Sequence, residues 1–169
     1  MQYQWTSLLS SSLILASVAV LLAASLHDII ARTVPNWMAV ALALLGLGLR
    51  VAHGNVLTGI LAGVIVFVAA AIAWRRGYMG GGDVKLLGAA ALVVPPAGVI
   101  NFVVAVSLTG AVLALFYLAA RRLVPATHAA NRPRSLLARA LRAECWRIRR
   151  GGPLPYACAI AAGGLFTLL

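Results

Sequence analysis

Asp28, Asp83 and Glu144 are the only acids in a chain of 169 residues that carries 14 Lys+Arg. Each is rare enough to need a reason. Asp28 closes one apolar run in Leu26-His27-Asp28-Ile29-Ile30-Ala31-Arg32, and Asp83 opens another in Gly80-Gly81-Gly82-Asp83-Val84-Lys85. Ionisable groups at the edge of hydrocarbon are costly and often functional. Two carboxyls brought together in a low-dielectric site do not both ionise easily, so the pair tends to share a proton. One carboxylate then takes a proton from water while the other gives one to a leaving group, which is the chemistry of an aspartyl hydrolase. Considered singly, each has a plainer role. Asp83 suits a helix N-terminus, where an acid caps or meets the dipole, and Asp28 suits a solvated interfacial loop.

The neighbours fit the pair. Gly80, Gly81 and Gly82 let a backbone approach closely and adopt unusual torsions. Lys85 and Arg32 are placed to favour the ionised acids, and Pro35-Asn36 makes a sharp turn into the following run. These seven residues are the candidates for substrate binding. Other constellations are weaker. Ser25 and Ser107 lack a nucleophile-elbow context. His27 is best read as solvated at the interface, and His53 and His128 have no ligand partners. Cys145 and Cys158 are too few for a disulfide framework or a zinc site, so neither metal nor cofactor is expected.

The elements that would position these residues follow from composition. Apolar residues make up 63% of the chain and charged residues 10%, against about 25% charged in soluble domains. Mean hydropathy is +0.99. So small a chain cannot hide that much apolar surface in one water-soluble core. A soluble globular enzyme and a disordered chain are both excluded. What remains is an all-α polytopic membrane protein, with residues 1–169 forming one membrane-embedded domain. Six apolar runs are predicted to span: 8–26, 37–49, 56–74, 84–94, 99–120 and 154–169. The second is short, and Asn36 and a snorkelling Arg50 complete it. Pro95-Pro96 separates the fourth from the fifth.

Residues 121–152 form a basic loop. Within it, 135–150 predicts an amphipathic helix, with Leu137, Leu141, Cys145 and Ile148 on one face and arginines on the other, suited to an anionic membrane surface. Glu144 is an intrahelical partner for its arginines. If the loop after the first run is cytoplasmic, every basic residue except Arg50 lies inside. That bias places both termini outside and both aspartates on the cytoplasmic side. The net charge of +11 is then a topology device, with the lipid bilayer rather than nucleic acid as the partner.

The residues also carry a resemblance. Gly80-x-Gly82-Asp83-x-Lys85 resembles the GxGD motif of membrane aspartyl proteases, in the GxGDxK form of the type IV prepilin peptidases. Asp28 followed by Arg32, Val34, Pro35 and Asn36 resembles that family's first aspartate segment. Gly152-Pro153-Leu154-Pro155-Tyr156, followed by the small residues Ala159 to Gly163, resembles its last helix. The three segments occur in order over nearly the whole chain. The resemblance implies an aspartic endopeptidase of the bacterial inner membrane, with Asp28 and Asp83 catalytic. It would cut the short basic leader of prepilin-like substrates at the cytoplasmic face. The chain lacks the paired CxxC motifs of the long bacterial form, so it is similar to the short form used with Flp-type (tight-adherence) pili, and methyltransferase activity is not implied. Pilus assembly proteins are candidate partners. An archaeal-type preflagellin peptidase shares the motif. Two other classes are a small transporter, whose acids would bind a cation or proton, and a basic scaffold docking acidic partners through residues 121–150.

Overall fold

The computed structural model describes residues 2–123, 142, 145–150 and 154–169. Among these residues the chain is helical, with no strand. The elements are α1 (Gln2–Ala31), α2 (Asn36–Ala52), α3 (Val56–Arg75), α4 (Gly81–Val93), a 3-10 turn (Pro96–Gly98), α5 (Val99–Leu123), a helical segment at residues 145–150 (α6) and α7 (Tyr156–Leu168). A helix lies on each of the six predicted runs. Three stretches are long and apolar enough to cross a bilayer: Thr6–Ala31, Val56–Arg75 and Pro96–Leu123. Asn36–Ala52 and Tyr156–Leu168 are shorter apolar helices, and α4 has only 13 residues. Most of the basic loop, including Glu144 and His128, lies outside the described residues. The predicted amphipathic helix is represented by Arg142 and residues 145–150, which are helical.

The sequence explains the organisation around α4. A segment rich in Gly, Ala, Leu and Val needs apolar surroundings, protein or lipid, and here it finds protein. It is buried almost throughout, from Val84 to Val93. Helices α2 and α3 each pack along it and touch one another little, while α7 packs against α1, α5 and α4. Small residues set the spacing. A Cβ on Gly46 would stand 2.8 Å from the Leu92 backbone, and one on Gly163 would stand 2.8 Å from the Val106 backbone nitrogen. Such close approach is the packing mode available where lipid removes the hydrophobic drive between helices. Leu21, Leu42, Leu86, Phe102 and Ile160 fill the centre. Leu15, Ile65 and Val112 expose their side chains on the outer faces of α1, α3 and α5, as a lipid-facing belt requires.

Arg50 differs from expectation. It does not snorkel: it is 2% exposed. Its Nη2 donates to the Val93 carbonyl at 3.1 Å and its Nη1 to Asn55 Oδ1 at 3.4 Å. Pro95 and Pro96 end α4 and leave its last carbonyls without helical donors, and a buried carbonyl needs a partner. Arg50 supplies one from the neighbouring helix, and Gly59 makes room for its stem.

Candidate active site

The site lies where α1 ends and α4 begins. Helix α1 runs past its apolar stretch to Ala31 and is stopped by Arg32, whose φ of 55° puts it in the left-handed region. Its N–H returns to the Asp28 carbonyl at 2.8 Å, a helix stop that usually falls to glycine. His27 Nδ1 donates to the Thr33 carbonyl at 2.7 Å and holds the reversal that leads into α2. Two further carbonyls at the end of α1 accept from Arg147 of α6: Ile29 at 2.9 Å from Nη1, and Ile30 at 3.3 Å from Nη2. Arg32 Nη2 donates to the Tyr117 hydroxyl at 3.4 Å. Asp28 is thereby carried on a helix end that is tied down on several sides.

Asp83 is carried by the first turn of α4. Gly80 is the extended N-cap residue, and Gly81 and Gly82 are already helical. The glycine run therefore takes none of the unusual torsions expected of it, and its glycine content serves close approach instead. A Cβ on Gly82 would meet Val34 Cβ at 3.2 Å, and one on Gly80 would meet Asp83 Oδ2 at 3.0 Å. The Asp83 carboxyl reaches back to the Gly80 N–H, the acid half of a capping box. Asp83 thus has the plain capping role, and it also faces a cavity.

That cavity measures about 280 Å³ and is lined by Asp28, Arg32, Thr33, Val34, Asn36, Gly80, Gly81, Gly82, Asp83 and Lys85. It gathers every predicted site residue except Pro35, which ends the extended link as the N-cap of α2. Asp28 is 6% exposed, and its Oδ2 accepts the Ala157 N–H from the first turn of α7 at 3.3 Å. A proton on Asp28 would therefore sit on the other oxygen. Asp83 is half-buried and precedes the apolar stretch of α4. Burial, and after it the negative charge of Asp28, push the Asp83 carboxyl up to about 6, against the Gly80 hydrogen bond that favours its charged form. Lys85 is exposed, and its Nζ donates to Asn36 Oδ1 at 2.9 Å. Among the described residues, no group of three His, Cys, Asp or Glu could hold a metal ion.

Three contributors were not evident in the sequence. The Ala157 N–H carries no side-chain signal. Arg147 belongs to a basic run whose sequence points to a membrane surface rather than to the end of α1. Tyr156, within electrostatic reach of Asp83, enters the sequence reading only as part of the last-helix resemblance. Two carboxyls in one half-closed cavity, one with a raised pKa, can hold and polarise a water and a carbonyl together.

Comparison with curated proteins and with solved structures returned no match. Comparison with protein families matched the type IV leader peptidase family over residues 15–115, which contain both Asp28 and Asp83. That match covers well over half of the sequence, and the chain belongs to the type IV leader peptidase family.

Proposed function

We propose that this chain is an aspartic endopeptidase that removes the short basic leader of prepilin-like substrates, Flp-type among them, at the cytoplasmic face of the inner membrane. Asp28 and Asp83 are its catalytic pair. The observation that carries the proposal is that two of the chain's three acids, far apart in sequence, line one cavity at the ends of α1 and α4. Family membership supports a peptidase, and the charge asymmetry supports a cytoplasmic position for the cavity.

The chemistry follows from the two environments. The pair shares one proton, and burial beside Asp28 raises the Asp83 pKa to about 6. The protonated acid directs its proton at the scissile carbonyl oxygen, and the ionised acid accepts a proton from a water held between the two. The water oxygen bonds to the carbonyl carbon, and the carbonyl oxygen receives the first acid's proton, giving a gem-diol. The second acid then returns its proton to the amide nitrogen, the C–N bond breaks, and a gem-diol hydroxyl restores the proton of the first. The titrations belong to the pair, so the two acids act as a unit.

The proposal is tested with the purified chain in liposomes. The probe is a reporter with a short basic leader, a glycine and an apolar segment of about twenty residues, long enough to span. Mass spectrometry is expected to find a single cut at the junction of leader and apolar segment. An intact reporter, across a panel with varied junctions, contradicts the proposal.

A further inference from the structure

A second cavity, of about 500 Å³, opens on the lipid-facing side between α2 and α3, with α4 as its floor. Helices α2 and α3 both pack on α4 but scarcely on each other, which leaves the space between them open. Each of the three helices contributes residues at i, i+3, i+4 and i+7, beginning at Asn36, Ile60 and Lys85. Four such positions make one continuous face, so the groove is straight and about 10 Å long, or two helical turns. Its floor is low because Gly88 and Ala89 lie along it, and its walls include Val40 of α2 and Gly63 and Phe67 of α3. Asn36 and Lys85 also line the acid cavity, so the two spaces join at these residues.

We infer that this groove holds the apolar segment of the cleaved substrate immediately beyond the scissile bond, with the Lys85–Asn36 pair as a polar threshold between groove and acids. The inference rests on the peptidase proposed above. A chain whose scissile bond lies between Asp28 and Asp83 and whose next residues are apolar must pass into the bilayer. The groove is an apolar path that starts at the rim of the acid cavity. Exposing the bond requires the substrate to unwind there, which frees backbone carbonyls at a depth where lipid offers no donor. The Lys85 ammonium and the Asn36 amide stand at that point and supply donors. A lipid tail would fit the apolar walls but has no use for a polar threshold leading to two carboxyls.

The test uses photo-crosslinking and cleavage together, on the full chain in liposomes with the basic-leader reporter. A benzophenone side chain at Val40 or Val64 in an Asp28→Asn background is expected to cross-link the reporter's apolar segment, and one at Val104 or Leu108 on α5 is not. In the wild-type background, Ala43→Phe is expected to lower the cleavage rate at least tenfold, whereas Leu108→Phe leaves it unchanged. Cross-links on α5 alone, to lipid alone, or between two copies of the chain overturn the groove assignment. So does Ala43→Phe cleaving at the wild-type rate, with the peptidase activity itself left standing. Continued cutting by the Asp28→Asn chain overturns the catalytic reading instead, and the groove inference falls with it.

Discussion

A carboxyl folded into a cavity beside a second carboxyl is less stable charged than it is in water, and Asp83 is in that position. Its pKa rises from 3.8 to about 6 on folding. The native state therefore holds a proton that the unfolded chain releases between these values. The favourable contribution is complete below about 3.8 and is lost as the pH climbs through about 6. Asp83→Asn keeps an acceptor for the Gly80 N–H and removes the charge. It is expected to melt with wild type near pH 4 and to be more stable at pH 8 by roughly 1–2 kcal/mol, a discounted figure because the group is only half-buried. Thermal unfolding in detergent checks this, and equal stability at pH 8 contradicts it. The residue that costs stability is then the residue that the proposed chemistry needs. Both aspartates were legible in the sequence because acids are so scarce there. Tyr156 and the Ala157 N–H were not, because their relevance depends on how closely α7 approaches Asp28, which no local pattern encodes.

At the scale of elements, apolar runs located the helices but not their ends. Hydropathy ends the first run at Leu26, whereas α1 continues to Ala31. A helix ends where its last carbonyls find other donors, and here one is local, the Arg32 N–H, while the others come from a residue distant in sequence, the Arg147 guanidinium. Arg50 does the same for the end of α4. An arginine inside an apolar helix was the available signal, and snorkelling was the wrong inference from it because a free carbonyl lay within reach. Arg147 is accordingly a positioning residue, since it holds the turn of α1 that carries Asp28. Arg147→Ala is expected to slow reporter cleavage about fivefold, on the order of 1 kcal/mol, the scale of one or two partly exposed hydrogen bonds. Arg147→Lys should recover part of that rate, because an ammonium still reaches one carbonyl. Unchanged cleavage by the alanine variant would sink this assignment.

For the whole molecule, the short α4 governs the arrangement. Thirteen residues, eleven of them small or aliphatic, cannot form an independent span, and α2, α3 and α7 close around them. That closure brings the start of α4 to the end of α1, joins two remote acids in one cavity, and leaves the groove between α2 and α3. The order of the helices was legible from the six apolar runs and the two prolines. The choice of α4 as the shared floor was not, since its composition alone would also suit an ordinary lipid-facing helix. The central claim is that the paired acids form one catalytic unit, and it is tested most directly by cleavage of the basic-leader reporter by wild type, Asp28→Asn, Asp83→Asn and the double variant, at matched membrane levels. Each single substitution is expected to abolish cleavage, and the double variant to lose nothing more, as for residues that act together. Cleavage by either single variant at the wild-type rate would contradict it.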